Sequence, residues 1–128
     1  MTPEGLRYTK DHEWAKKDGD LVTVGITHYA QDQLGDVVFV ELPAVGKTVK
    51  AGEAFGVVEA VKTVSDLYAP VGGTIAEVNG ALGAEPGLVN QAPYEGGWMI
   101  RIQPADPAEL DSLLDAQAYN ALLETHHA

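Results

Sequence analysis

The sequence predicts a mainly β fold made of two quasi-symmetric sheets, with one short internal helix and one helix at the C-terminus. The 128 residues include 14 glycines and 7 prolines, which separate apolar runs too short for core helices. Short runs bounded by turn residues are typical of brief strands. Segments 35–40 and 73–78 share glycine and β-branched positions, and so do segments 49–56 and 89–96. Recurrence at nearly one period indicates two related β units.

Nine runs are predicted to be strands because β-branched and aromatic residues are frequent in them. In chain order they are Leu6–Tyr8, Glu13–Lys16, Leu21–Gly25, Val37–Glu41, Thr48–Val49, Phe55–Val61, Ser65–Tyr68, Gly73–Val78 and Gly97–Ile102. At this length the chain is expected to form a single domain over residues 1–128, with its sheet core at about 6–102.

The internal helix is predicted over HYAQDQL, residues 28–34. Thr27 precedes it as an N-cap, because a threonine hydroxyl can accept a hydrogen bond from a free N–H group of the first turn. Gly35 follows it at the position where a residue of left-handed (αL) conformation would end the helix.

The C-terminal helix is predicted at about 107–123. Asp106 is a good N-cap, Pro107 suits the first helical position, and Glu109 lies three residues past the cap, as in a capping box. Apolar residues then recur at helical spacing and form a stripe that can pack on the sheet. This stripe consists of Leu110, Leu113, Leu114, Ala118 and Leu122.

Composition and charge exclude several classes of function. The chain has no cysteine, so it can form neither a disulfide nor a thiolate nucleophile. Its formal net charge of -11 disfavours nucleic acid and anionic membranes as partners. The charge favours docking on basic protein surfaces, or it serves solubility. Because no segment has the length of a membrane span and no apolar leader is visible, a cytoplasmic location is expected.

The stretch VVEAVKTVSDLYAP, residues 57–70, places one lysine, Lys62, at the turn between two predicted strands. A solvated charge that protects a hairpin tip is the simplest interpretation. A Schiff-base lysine would need a desolvated pocket or a second cation, and its neighbours here are neutral or acidic. Covalent attachment is the third interpretation, because a protruding turn exposes the ammonium group and a rigid sheet fixes the origin of a flexible arm.

The hairpin VEAVKTVSDLYAP resembles the lipoate attachment hairpin of the glycine cleavage H-protein family. Further blocks of that family follow in the same order: YTKDHEW (8–14), VTVGITHYAQDQLGDVVFVELPAVGKTVKAGEAFGVVE (22–59), APVGGTIAEVN (69–79), LVNQAPYEGGWMIRI (88–102) and PADPAELDSLLDAQAY (104–119). Biotinyl domains typically have methionine on both sides of the lysine, and lipoyl domains of 2-oxo acid dehydrogenases usually read Asp-Lys-Ala. Val61 and Thr63 occupy those positions here.

The resemblance implies a barrel-sandwich hybrid of the lipoyl/biotinyl type that acts as a carrier rather than an enzyme. Lys62 would bear lipoate as lipoyl-lysine. Glycine decarboxylase, a pyridoxal-phosphate enzyme, would load an aminomethyl group, an aminomethyltransferase would pass the one-carbon unit to tetrahydrofolate, and dihydrolipoyl dehydrogenase would reoxidise the dithiol. A lipoylating enzyme is the fourth implied partner, and the carrier itself is expected to be a monomer.

The resemblance also implies roles for acidic residues around the lysine. Glu13 would dock the cationic amine of the loaded arm through a charge-assisted hydrogen bond, unless it is a solvated surface acid. Asp66 and Glu59 would guide the modifying enzyme, or they are ordinary cross-strand charges. The internal helix would form one wall of the same cleft, with Asp32 and Gln33 facing it.

Two other functions remain open at this point. A lipoyl donor for other lipoate-dependent complexes would use the same hairpin. A free-standing enzyme would instead use Glu13, Asp66 and Lys62 as acid–base groups, but no convergent constellation in the sequence supports it. A metal site is not expected, because His12 and His28 are far apart in the chain and His126 and His127 lie at its terminus.

Overall fold

The structure, a computed structural model, describes the backbone of residues 3–127 and the side chains of residues 3–124. Nine strands lie within this range: β1 Arg7–Tyr8, β2 Glu13–Asp18, β3 Leu21–Ile26, β4 Val37–Glu41, β5 Thr48–Val49, β6 Ala54–Ala60, β7 Val64–Tyr68, β8 Gly73–Val78 and β9 Ile100–Pro104. The α-helices are α1 His28–Leu34, α2 Ala81–Ala84, α3 Leu88–Gln91 and α4 Ala116–His127, and a 3-10 helix spans Pro107–Ser112.

The strands form two antiparallel sheets. The larger sheet has the order β1-β2-β3-β9-β8-β5, and the smaller one has the order β4-β6-β7. The predicted mainly β fold of two sheets is therefore confirmed. Of the two predicted repeats, segments 35–40 and 73–78 both contain a strand, whereas Val49 lies in β5 and Val89 lies in α3. The second repeat is therefore not a structural one.

The main core lies between the two sheets. Buried Val, Ile, Leu and Phe side chains from both sheets meet there, among them Val24, Val40, Phe55, Val58, Leu67, Ile75 and Ile102. Each such side chain stabilises the fold by about 1.5–3 kcal/mol when it is fully removed from water. A second, aromatic cluster of Tyr8, Trp14 and Tyr119 packs beside the larger sheet.

The predicted C-terminal helix at about 107–123 is wrong as one element. Asp106 accepts a hydrogen bond from the Ala108 N–H, as expected of a cap, but the helix that follows is a 3-10 helix. The chain then becomes extended, because Leu114 exchanges two backbone hydrogen bonds of 2.8 and 2.9 Å with Tyr8 of β1. The α4 helix begins after this bridge, with the Asp115 carboxylate accepting from the Ala118 N–H.

The break also separates the predicted apolar stripe. Leu110 and Leu113 pack against the core between the sheets, whereas Leu114 and Leu122 pack against the aromatic cluster. Ala118 is exposed. The predicted capping box is wrong as well: the Glu109 carboxylate accepts from the Gly72 N–H at 2.8 Å, so it fastens the 3-10 helix to the chain before β8.

The structure also adds elements that the sequence did not indicate. The segment before β9 contains α2 and α3, and β9 begins at Ile100 instead of Gly97. Each of the two helices has four residues and no side-chain cap, so neither carries a strong local signal. Among the helices of residues 3–127, none has the length and apolar character that a membrane span requires.

Gly56 sets the close contact between β6 and β4. A methyl group at this position would overlap the carbonyl oxygen of Glu41, which belongs to the neighbouring strand. We expect Gly56→Ala to lower the free energy of unfolding by about 2–3 kcal/mol, because backbone must move to make room. Gly83→Ala in α2 is the matched control, since nothing lies near its added methyl group. Urea unfolding of both variants tests this, and equal stability would contradict it.

Candidate functional site

Lys62 lies in the turn that joins β6 to β7, as the sequence predicted. The turn is closed by the Ala60 N–H, which donates to the Thr63 carbonyl at 2.8 Å. Lys62 is exposed, and its neighbour Val61 is 75% exposed. The strands beneath are fixed by Val58 and Leu67, which are both buried in the core. The ammonium group therefore stands on a rigid hairpin and is open to large partners.

The turn also rests on the end of α1. Thr27 caps this helix as predicted, by accepting from the Ala30 N–H. Gly35 ends it with φ 83° and ψ -158°, which is a positive-φ conformation but not the predicted αL one. A methyl group on Gly35 would lie 3.3 Å from Lys62 Cε, and the Val61 N–H donates to the Asp36 carbonyl. The lysine stem therefore lies over Gly35.

The predicted wall of the Glu13 cleft, formed by α1 with Asp32 and Gln33 facing it, is not observed, because no residue of α1 lines that cleft. Both side chains are exposed, and the contact with the lysine stem is made at Gly35. The absence of a side chain at Gly35, and not the polar residues of α1, therefore allows the end of the helix to lie close to the hairpin turn.

Glu59 and Asp66 both lie on the hairpin, but they are not opposite each other. Glu59 pairs with Val64, and Asp66 pairs with Val57. Because alternate residues of a strand share a face, the two carboxylates are diagonal neighbours on the same face. This is the face turned away from Val58, whose side chain is in the core. The face near Lys62 is therefore acidic.

Glu13 is not a solvated surface acid. Its side chain is 2% exposed at the start of β2. The Thr9 hydroxyl donates to Oε1 at 2.6 Å, and the Tyr68 N–H donates to Oε2 at 3.2 Å. Burial raises the pKa of Glu13 to about 7, and the nearby Asp11 charge adds to the rise, while the two hydrogen bonds oppose it. The carboxyl group therefore changes charge near neutral pH.

Glu13 lines a largely apolar cleft of about 260 Å³. Tyr8, Thr9, Tyr68, Pro70, Leu113 and Leu114 contribute to its walls. Tyr68 ends β7, whereas Lys62 precedes the start of that strand. The four-residue rise of β7 is about 13 Å, so the lysine nitrogen and the carboxylate are not in hydrogen-bond reach. A long flexible group on Lys62 could join them, but an acid–base pair could not form.

Four residues of this region were not identified from the sequence: Thr9, Tyr68, His12 and Tyr119. The spacing of Thr9 and Glu13 within one short turn is a local signal that could have indicated their contact. The contribution of Tyr68 is a backbone N–H group from 55 residues away, for which no sequence signal exists.

In the part of the chain that the structure describes, no three His, Asp or Glu side chains group closely enough to hold a metal ion.

The raised pKa of Glu13 makes stability depend on pH. Between about pH 4.5 and 7 the folded state keeps a proton that the unfolded state loses, so stability falls as pH rises through this window. Glu13→Gln is neutral throughout and avoids this loss. We expect its stability relative to the unsubstituted protein to rise by about 2–3 kcal/mol between pH 5 and 8. Urea unfolding at pH 5 and pH 8 measures this change in relative stability, and Glu95→Gln, at an exposed position, is the control. An equal change of stability with pH in the two variants would contradict the prediction.

Comparison with known proteins gives one consistent answer. The family model described as "Glycine cleavage H-protein" matches residues 6–126. The glycine cleavage system H protein of Thermus thermophilus is 60% identical over 123 residues, which is 96% of each chain. That of Anaeromyxobacter dehalogenans is 57% identical over 122 residues, 95% of each chain.

A solved structure agrees with these relatives. The crystal structure of a glycine cleavage system H protein from Mycobacterium marinum superposes with a TM-score of 0.88 at 45% identity, covering 95% of this chain and 98% of that one. The chain belongs to the glycine cleavage H-protein family, the non-catalytic lipoyl carriers of the glycine cleavage system.

Proposed function

We propose that Lys62 is the lipoate attachment site and that the cleft at Glu13 receives the loaded arm. The observation that carries this proposal is the arrangement of one exposed lysine on a rigid turn, a strand length away from a buried carboxylate in an apolar cleft. When bound, lipoate supplies a disulfide that accepts the aminomethyl group and electrons. The hairpin holds the root of the arm still, so the position of its free end depends on the arm alone.

The residues present fit such an arm at both ends. At the root, Gly35 leaves room for the lysine stem to lie flat, and amide formation on the nitrogen removes the positive charge. At the far end, the walls contributed by Pro70, Leu113 and Leu114 offer apolar surface to a hydrocarbon chain. The Glu13 carboxylate lies among these apolar walls.

Glu13 is proposed to dock the cationic amine of the aminomethyl group. A carboxyl group with a pKa of about 7 can be neutral while no cation is near. An arriving cation favours the ionised form, and a charge-assisted hydrogen bond then forms in a region of low water content. The amine is held there and its carbon–nitrogen bond is shielded from water.

The proposed partners all approach the same hairpin. Glycine decarboxylase, the aminomethyltransferase and dihydrolipoyl dehydrogenase must each reach the end of the arm, and the lipoylating enzyme must reach the Lys62 nitrogen. Asp66 and Glu59, on one face of the hairpin, are proposed to guide the lipoylating enzyme. An acidic surface of this kind increases the rate of association with a basic partner surface and permits fast release, which suits a carrier with several partners.

The attachment site is tested by mass. After production in a host with active lipoylation enzymes and supplied lipoate, we expect peptide mapping to find one lipoyl increment on Lys62 and none in Lys62→Arg. The same variant should lose the coupling of glycine decarboxylation to aminomethyl transfer while its urea unfolding is unchanged. Lys50→Arg, an exposed lysine in another turn, is the control. An increment on another lysine, or retained coupling in Lys62→Arg, would overturn the proposal.

The docking role is tested by the lifetime of the loaded arm. We expect Glu13→Ala and Glu13→Gln to be lipoylated as fast as the unsubstituted protein but to lose the aminomethyl group at least about tenfold faster. The basis is that a charge-assisted hydrogen bond stabilises by about 1.5–3 kcal/mol. Ammonia release from loaded protein in the absence of the aminomethyltransferase gives the rate, with Glu95→Gln as control. Equal rates would remove Glu13 from the docking role.

A further inference from the structure

The side chain of Tyr119, in α4, is buried, and its hydroxyl group is hydrogen-bonded to two other segments of the chain. Tyr119 is 1% exposed, and its ring stacks on Tyr8 with centroids 4.7 Å apart. Its hydroxyl lies 2.7 Å from His12 Nδ1 and 2.7 Å from the Thr27 hydroxyl. Packing on Tyr8 accounts for the ring but not for the two short hydrogen bonds. The hydroxyl group therefore contributes something that the ring alone does not.

His12 belongs to the turn that presents Glu13. Among the described residues other than glycine, His12 is the one at positive φ, with φ 69°. This conformation is unfavourable for a residue with a Cβ, so other contacts must hold it. The His12 N–H donates to the Thr9 carbonyl, and the Thr9 N–H donates to the Glu13 carbonyl. The same Thr9 holds the Glu13 carboxylate through its hydroxyl.

Thr27 connects the same junction to the root of the arm. Its N–H donates to the His12 carbonyl at 3.0 Å, and its hydroxyl accepts from the Ala30 N–H at the start of α1. The far end of that helix is Gly35, which lies against the Lys62 stem. The Tyr119 hydroxyl thus contacts both the turn at the docking carboxylate and the helix beside the lysine.

We propose that Tyr119 and His12 are positioning residues for Glu13: the Tyr119 hydroxyl holds the His12 ring, and the ring holds the left-handed turn that presents the carboxylate to the cleft. This inference rests on the proposed docking role of Glu13. The proposal assigns α4 a part in the carrier function, because Tyr119 of this helix fixes the turn at His12 from outside the two sheets.

The hydrogen-bond directions at this site are set by the tautomer of His12, and we assign the arrangement in which each hydroxyl donates once. The Thr27 hydroxyl accepts from the Ala30 N–H and donates its own proton to Tyr119. The Tyr119 hydroxyl then donates to Nδ1 of a neutral His12. In that arrangement His12 carries its proton on Nε2. Nitrogen NMR of the imidazole reports this tautomer directly, and a proton on Nδ1 near neutral pH would contradict the assigned direction.

Tyr119→Phe is the central test, since it removes the hydroxyl and keeps the ring on Tyr8. In protein without lipoate, carbon NMR of the carboxyl groups should show the pKa of Glu13 falling below about 7, because a loosened turn admits water and so reduces the desolvation that is the largest cause of the raised pKa. With lipoate attached and loaded, the aminomethyl group should be lost several-fold faster. The matched control is Tyr94→Phe, which removes another hydroxyl near α1, the one that accepts from the His28 N–H.

A double-variant cycle tests the route through the ring. His12→Gly removes the ring and accepts positive φ without strain. If Tyr119 acts through His12, the double variant should titrate at Glu13 as His12→Gly does alone. A further change on adding Tyr119→Phe would overturn the proposed route, and so would an unchanged Glu13 titration in Tyr119→Phe. These titrations use protein without lipoate, so they are independent of whether Glu13→Gln alters the lifetime of the loaded arm.

Discussion

The hydrogen bond from the Tyr68 N–H to the Glu13 carboxylate joins the two sheets at the base of the lysine hairpin. Glu13 begins β2 of the larger sheet, and Tyr68 ends β7 of the smaller one. The bond therefore fixes how the hairpin is seated relative to the cleft. Because the carboxylate is buried, it also costs desolvation energy, which raises the pKa to about 7 although the two hydrogen bonds offset part of the rise. A carrier that needed only a stable fold would place an apolar residue here.

The strands of the lysine hairpin are packed in the core, whereas the side chains of its turn are exposed. Val58 and Leu67 are in the core, and each stabilises the hairpin by roughly 1.5–3 kcal/mol. The two residues that follow the end of β6, Val61 and Lys62, are exposed. The Val61 N–H nevertheless donates to the Asp36 carbonyl, so the backbone of the turn stays anchored while its side chains are exposed. This division suits the role proposed for Lys62, in which the lysine is recognised in a fixed position and then becomes the root of a moving arm.

Local signals predicted much of this structure. Three strands, Val37–Glu41, Thr48–Val49 and Gly73–Val78, have the predicted bounds, and the Thr27 cap is present as predicted. The position of Lys62 followed from one charge within an apolar run that is interrupted by a turn. These features depend on neighbours within a few residues, which is the information that a sequence pattern contains.

The errors arose where distant backbone groups decide the outcome. Helical spacing in 107–123 is real, but Leu114 pairs with Tyr8, which lies 106 positions earlier and offers an unpaired edge of β1. Satisfying those edge groups outweighs continuing the helix. The burial of Glu13 was missed for the same reason, since the apolar walls at Pro70 and Leu113 come from remote segments.

The environment of Glu13 lies between two extremes that would each fail in the proposed docking role. A solvated carboxylate with an ordinary pKa would always be ionised, but water would screen its attraction for an amine and leave the aminomethyl group exposed to hydrolysis. A carboxyl group buried without hydrogen-bond donors would remain protonated at neutral pH and could not hold a cation by charge. Thr9 and Tyr68 donate hydrogen bonds that stabilise the ionised form in part, so in the proposed role an arriving cation would complete its stabilisation. When the cation leaves, the carboxylate would take up a proton again, so release would not leave an unpaired charge buried in the cleft.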